Sequence, residues 1–196
     1  MKRFTGTKGF ICLLVLILLV VGYYYYLSNR QIKAKHEANV KLTDAQELLL
    51  TNFEVNYPPT PKEVVKEYLE FTKVLHNSDL TDEDTEALAK KIQEIYDTEL
   101  VNNKSEEDYL KDLKSELISF KNNDYSIVNY YTSSSTEVNY FETDGYDCAS
   151  LYGTYNIRTS SGTQVLSNIF ILRKDEAGRW KIYGWQPIEN EAPTVQ

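Results

Sequence analysis

The segment Asn56–Val65 reads NYPPTPKEVV and divides the chain into two parts. Its two adjacent prolines each lack an amide hydrogen and restrict the preceding residue, so no helix runs through them. Thr60 then suits a helix N-cap, Pro61 the first helical position and Glu63 the third, which is the pattern of a capping box. A folded domain is therefore predicted over residues 57–188.

The part before this segment contains a long uncharged run, FICLLVLILLVVGYYYYL, over residues 10–27. A helix of that length spans about 27 Å, close to the roughly 30 Å hydrocarbon core of a bilayer. The tyrosine block at its end suits a membrane–water interface. Since no small-residue cleavage site follows the run, an uncleaved transmembrane anchor is favoured over a signal peptide.

The anchor divides the remaining sequence into predicted regions. Residues 1–9 form a short tail, placed in the cytoplasm because a short tail before a single span usually stays there. Residues 28–56 are a polar stalk with a short helix from about Thr43 to Asn52. Residues 189–196 are a polar tail, predicted to be disordered. The protein is thus expected in the cell membrane, single-pass, with its domain outside the cytoplasm.

Composition restricts the possible chemistry of the domain. Residues 28–196 carry a net charge of −11, since residues 1–27 hold three of the 21 basic residues and no acidic one. Such an acidic chain is a poor partner for nucleic acid. Cys148 is the single cysteine after the anchor, so no disulfide is expected within the domain. Of the two histidines, His76 is expected to cap a helix end, and neither belongs to a metal-ligand cluster. No metal, cofactor or catalytic motif is predicted.

Helical periodicity follows the proline segment and changes to strand periodicity after Asp124. Helices are predicted to begin at Thr60, Thr81 and Ser105, each with acidic residues in its first turn. β-branched and aromatic runs separated by turn residues predict antiparallel strands over residues 125–132, 137–143, 147–158, 163–174 and 179–187. The fold class is therefore α+β, with three helices packed on a curved antiparallel meander of about five strands.

Alternation along the strands separates two apolar faces of the sheet. The predicted core face carries Ile127, Tyr131, Ala149, Leu151, Tyr155, Ile157, Val165, Ile169, Ile171, Trp180 and Ile182. The opposite face also carries Leu166 and Leu172, beside the candidate interface residues Tyr130, Phe141, Tyr152, Phe170, Tyr183 and Trp185. A second aromatic face indicates a contact surface. The candidate pocket residues are Tyr131, Tyr155 and Trp180.

Three stretches and one cysteine carry a resemblance to known families. The final strand GRWKIYGW, residues 178–185, and the order of helices and bent sheet resemble the cystatin-like cone of nuclear transport factor 2. More narrowly, YPPTPKEVV at residues 57–65, Cys148 and LRKDEAGRWKI at residues 172–182 resemble a family of small membrane-anchored proteins from anaerobic Firmicutes with a domain of unknown function. The resemblance implies a cone-shaped domain and supplies no catalytic residues.

These observations favour a non-catalytic, single-span protein whose extracytoplasmic domain binds a protein or a small ligand. The expected partners are the membrane, through residues 10–27, and a second copy or another envelope protein. One alternative is a scaffold subunit of a secretion or conjugation complex in the envelope. A second alternative is an enzyme or carrier that holds a small molecule in the cone, which would require a pocket with a buried carboxylate or histidine.

Overall fold

The computed structural model describes residues 42–188. Every helix and strand given below lies within these residues. The predicted tail 1–9, the anchor 10–27, the stalk up to residue 41 and the tail 189–196 lie outside the described residues. Within residues 42–188, no helix is both long and apolar enough to span a bilayer.

Five α-helices precede the sheet, and four of them were predicted. They are α1 (Asp44–Leu49), α2 (Pro61–Asn77), α3 (Asp82–Gln93), α4 (Thr98–Asn102) and α5 (Glu106–Asn122). The side chains of Thr60, Thr81 and Ser105 cap α2, α3 and α5 as expected, each accepting a hydrogen bond from the backbone amide three residues later. Helix α4 was not predicted, because five residues are too short to show a period.

Five antiparallel strands follow, close to the predicted ranges. They are β1 (Ser126–Thr132), β2 (Asn139–Thr143), β3 (Tyr146–Thr159), β4 (Gly162–Lys174) and β5 (Trp180–Pro187). Asp144 and Gly145, with φ of 51° and 79°, form the tight turn between β2 and β3 that the Asp-Gly pair predicts. The α+β class and the five-stranded antiparallel sheet are therefore confirmed.

The expected hairpin between β1 and β2 does not form. Both strands pair with β3, β1 along residues 153–158 and β2 along residues 146–150, so they lie end to end along the same edge. Residues 133–138 leave the sheet between them. Ser133 bridges the break, because its amide donates to the carbonyl of Tyr152 at 2.9 Å and its hydroxyl accepts from the amide of Tyr152 at 3.0 Å. The sheet order is β1–β3–β4–β5, with β2 beside β3.

The helix-facing side of β4 is the opposite of the predicted one. On β3, Ala149 and Leu151 are buried as expected, and they pair with Leu172 and Phe170. Directly opposed residues share a face, so the buried positions on β4 are Leu172 and Phe170. Both faces of this strand are apolar, and alternation alone cannot tell which is inner. The correction places Val165, Ile169 and Ile171 on the side away from the helices.

Register shifts reverse the predicted sides of residues on two further strands. The register of β1 shifts between Ile127 and Asn129, so Tyr130 faces α2, and Tyr131, predicted to be in the core, is 50% exposed on the other side. The register of β5 shifts opposite Ile171 and Leu172, which places Trp185 beside Phe170 on the helix side. We call the side away from the helices the outer face; its apolar and aromatic residues are Tyr131, Phe141, Tyr152, Val165, Ile169, Ile171 and Tyr183.

Helix α2 lies across the inner side of the sheet and carries seven of the buried core residues. Gly153 permits the close approach of α2 to β3, since an added Cβ there would lie 3.2 Å from Cγ1 of Val65. Helix α5 has no fully buried residue, although Leu117 and Phe120 pack against the core. Helix α2 therefore packs closely on the sheet and α5 packs less closely on the core, and space remains between the helices.

Candidate functional site

A cavity of about 290 Å³ lies among α2, α3, α4 and α5, next to the end of β5. Helix α2 supplies Tyr68, Thr72, Leu75 and His76, which share one helix face. Helix α5 supplies Tyr109, Asp112, Leu113 and Glu116 at the same kind of spacing. A helix normally keeps charged residues off its core-facing stripe. Acidic residues interleaved with Tyr109 and Leu113 are the sequence signal that could have identified this wall.

Aromatic rings form the wall on the sheet side. The ring of Trp185 lies 5.0 Å from that of Tyr68 and 5.9 Å from that of Tyr96, centroid to centroid. Tyr68 and Tyr96 are themselves 6.1 Å apart. These distances are in the range of favourable aromatic pairs. Trp185 is 39% exposed, so this cluster presents a ring surface at the opening as well as inside.

A histidine–glutamate pair lies on the helical side of the cavity. Nδ1 of His76 is 2.8 Å from the carbonyl oxygen of Thr72, and Nε2 is 3.1 Å from Oε1 of Glu116. The imidazole side chain is 7% exposed, whereas Glu116 is 65% exposed. The hydrogen bond from His76 holds the pKa of the Glu116 carboxyl below its ordinary value. His76 lies in the last turn of α2, as predicted, and it also links α2 to α5.

Three tyrosines of the lining keep their phenolic protons. Burial raises the pKa values of Tyr68, Tyr96 and Tyr109 above the ordinary value of a phenol. The neighbouring Tyr109 further favours the neutral form of Tyr96. These groups therefore contribute hydroxyls, and no negative charge, to the cavity.

Near the opening, Lys104 and Asp112 form an ion pair with 2.5 Å between Nζ and Oδ2. Both side chains are more than half exposed. Within residues 42–188, no group of three or more His, Cys, Asp or Glu residues is arranged to hold a metal ion. The chemistry available in the cavity is thus an aromatic surface, phenolic hydroxyls and two ion pairs.

None of the three candidate pocket residues lines this cavity. Tyr131 is on the outer face, while Tyr155 and Trp180 are buried in the core at 4% and 8% exposure. The hydroxyl of Tyr155 is buried without a hydrogen-bond partner, and burial raises its pKa well above the ordinary value. The candidate residues were chosen from alternation along the strands. Most of the cavity lining belongs instead to the helices and the loops between them, and strand alternation carries no information about those residues.

The six candidate interface residues separate into two groups. Phe141, Tyr152 and Tyr183 are exposed at 37%, 50% and 43% on the side away from the helices. Phe170 is fully buried, Tyr130 faces α2, where its pKa is raised to about 12 by burial and by Glu70, and Trp185 lines the cavity. The last three are thus not on the outer face, for the reasons of register given above.

Comparison with known proteins identifies the family. The family model described as "Domain of unknown function (DUF6715)" matches residues 1–185, so the chain belongs to this family. No curated protein matches the sequence. A crystal structure of a variant of the helical cell shape determining protein Pgp2 from Campylobacter jejuni is similar over 65% of this chain, with 13% identity and a TM-score of 0.35. The match spans 41% of that chain. An origin in Firmicutes and the likeness to nuclear transport factor 2 stay predictions.

Proposed function

We propose that this member of the DUF6715 family is a non-catalytic ligand-binding protein, held at a membrane by residues 10–27, that takes up a small organic molecule in the helix-lined cavity. The observation that carries the proposal is the cavity itself, about 290 Å³ in volume with an aromatic wall. Small-molecule sites are concave, largely apolar and supplied with a few polar groups, and their volumes begin near 300 Å³. The cavity has each of these properties.

The lining supports binding more than catalysis. The buried histidine is the residue that an enzyme would use as a general base. Here Nδ1 faces a backbone carbonyl and Nε2 faces Glu116, so both ring nitrogens are engaged within the protein. The tyrosines retain their protons, since their pKa values are raised. Neither the histidine nor these tyrosines are thus free to take a proton from a bound molecule.

Filling the cavity from one side tests the proposal. Leu113 lines the cavity from α5, whereas Ile118 on the same helix is 61% exposed and outside the cavity. An uncharged fluorescent probe, N-phenyl-1-naphthylamine, should brighten when it enters the cavity of the full chain held in lipid nanodiscs. We expect Leu113→Trp to abolish the part of the fluorescence increase that is saturable and depends on the protein. We expect Ile118→Trp to retain that increase. Equal saturable binding by both variants would exclude the cavity as the site.

The outer face supports a second function, contact with a second copy of this chain. Tyr131, Tyr152 and Val165 are each 50% exposed on neighbouring strands. Ser150, Thr154 and Ser167 lie among them, so the centre of this surface is uncharged although the chain carries a net charge of −8. Two like-charged copies repel least where neither presents a charge. The uncharged aromatic surface therefore favours self-association.

Sedimentation equilibrium of the full chain in density-matched detergent tests this second function. We expect a dimer, and we expect Tyr152→Glu to shift it to monomer by placing a carboxylate in the contact. Val55→Glu adds the same charge at a loop residue that is 75% exposed and should leave the dimer intact. A wild-type chain that stays monomeric throughout the accessible concentration range would exclude self-association.

A further inference from the structure

The charged side chains of the cavity lining already form pairs. The lining contains two acidic and two basic side chains. Glu116 lies 3.1 Å from His76, and Asp112 lies 2.5 Å from Lys104. A ligand that carried its own charge would find each opposite charge already in contact with a partner. It would have to displace a partner or enter the cavity without a counter-ion, which disfavours it relative to an uncharged molecule of the same shape.

The His76 ring cannot serve as a free recognition group. A backbone carbonyl only accepts hydrogen bonds, so Nδ1 must donate to Thr72. Nε2 then faces Glu116, and this contact is a hydrogen bond when one proton is shared between the ring and the carboxyl. Both ring nitrogens are thus engaged within the protein, and each acidic group of the helical wall already has a partner in contact.

The remaining lining matches an apolar body with a hydroxyl or amide group. Trp185, Tyr68 and Tyr96 offer ring surface, and Leu75 and Ile92 are buried at 5% and 2% exposure behind them. Gln93 and Asn103 add amide groups that donate and accept hydrogen bonds. Each of these features stabilises a neutral molecule, and none supplies a counter-charge.

We propose that the cavity selects an uncharged ligand with an aromatic or aliphatic ring body and a hydrogen-bonding group, over cationic and anionic molecules of the same shape. This inference rests on the proposed ligand-binding function. It is carried by the matched pairing of every charged group in the lining and by the aromatic wall.

Three probes of the same shape test the selection: 2-naphthylmethanol, its amine analogue 2-naphthylmethylamine and the anion 2-naphthoate. The full chain in nanodiscs contains two tryptophans, so its ¹H–¹⁵N spectrum has two indole signals. Trp185 lines the cavity, whereas Trp180 is buried elsewhere and serves as an internal control. We expect the alcohol to shift the Trp185 signal with a Kd roughly tenfold or more below those of the amine and the acid.

The outcomes separate the two proposals. If the amine or the acid binds as tightly as the alcohol, the selection for uncharged ligands is overturned and ligand binding stands. If no probe moves the Trp185 signal, ligand binding in this cavity is overturned and the selection with it.

A charge-removal variant tests the pairing argument directly. Lys104→Met leaves Asp112 without its partner, so the amine probe should gain affinity relative to the alcohol. Lys90→Met removes an equally exposed lysine that pairs with Glu106 outside the cavity, and it should change neither probe. An amine affinity that does not respond to Lys104→Met would overturn the inference that pairing decides the selection.

Discussion

At the scale of single residues, Gly153 leaves the space that the ring of Phe170 and the side chain of Val65 on α2 occupy. A Cβ at this position would lie 2.6 Å from a ring carbon of Phe170, and that ring is fully buried. A close-packed core cannot move aside without loss of contacts elsewhere. We expect Gly153→Ala to lower the free energy of unfolding by about 1–3 kcal/mol, as measured by urea denaturation. Gly184→Ala is the control, because its Cβ would meet no heavy atom within 4 Å. Equal midpoints for the two variants would contradict the packing argument.

The ion pair of Asp97 and Arg173 is a second position where one side chain has a large effect. Asp97 is 5% exposed and accepts from Nε and a terminal nitrogen of Arg173 at 2.6 and 2.7 Å, and from the amide of Glu99 at 2.8 Å. Removing Asp97 leaves the guanidinium of Arg173, which is 13% exposed, with the exposed Glu99 at 2.8 Å as its remaining carboxylate partner, and it leaves the amide of Glu99 without its acceptor. We therefore expect Asp97→Ala to destabilise the fold by about 3 kcal/mol, measured by thermal and urea unfolding.

The matched control for this pair is Asp79, which contacts Lys121 while 90% exposed. An exposed ion pair is screened by water and contributes little to stability. Asp79→Ala should leave the melting temperature unchanged. If the two aspartate variants have the same melting temperature, the pair of Asp97 and Arg173 contributes no more to the stability of the fold than an exposed pair does.

At the scale of elements, the sequence predicts most of the secondary structure and little of the cavity. Caps at Thr60, Thr81 and Ser105 are local chemistry, so the starts of the three long helices follow from a few adjacent residues. Strand ranges follow from alternation and turn residues in the same way. The inner side of β4 and the position of Trp185 depend on pairing and bulges between distant strands. Such contacts leave no local pattern, and the cavity arises from several of them together.

We expect the attachment of helix α5 to the rest of the domain to depend on pH. The hydrogen bond from His76 lowers the folded-state pKa of the Glu116 carboxyl. The contribution of this bond to the stability of the fold is therefore fully present above the pKa that the carboxyl has in the unfolded chain. It is lost as the pH falls through the lowered folded value. Since α5 has no fully buried residue, we expect its amide-exchange protection to fall on acidification before that of α2. Hydrogen exchange corrected for intrinsic rates measures this difference.

Two glutamine variants isolate the role of Glu116 in this behaviour. Glu116→Gln should weaken the protection of α5 at neutral pH and flatten its response to acid. Glu107→Gln changes a glutamate of the same helix that has no ion pair among the described residues, and it should behave as the wild type. Loss of protection in α2 and α5 at the same pH in all three proteins would contradict a separate α5 transition.

At the scale of the whole molecule, the proposed function depends on where the domain is held. The buried core of the described residues extends from Ala45 to Ile182. A ligand-binding domain outside the cytoplasm would meet its ligand at the cell surface. This arrangement depends on residues 10–27, and it can be tested without knowledge of the ligand.

Lysines within the uncharged run should release the protein from the membrane. A Lys near the centre of a spanning helix costs about 2.5–3.5 kcal/mol, against a gain of roughly 0.3–0.6 kcal/mol for each apolar residue. We expect the wild-type chain to resist alkaline carbonate extraction, and Leu16→Lys with Leu18→Lys to move it to the soluble fraction. Val40→Lys with Leu42→Lys adds the same charge in the predicted stalk and should leave the chain in the membrane pellet. Extraction of the wild-type chain by carbonate would contradict the predicted anchor. The cavity could still bind a ligand in that case, but in a protein that is peripheral to the membrane or free of it.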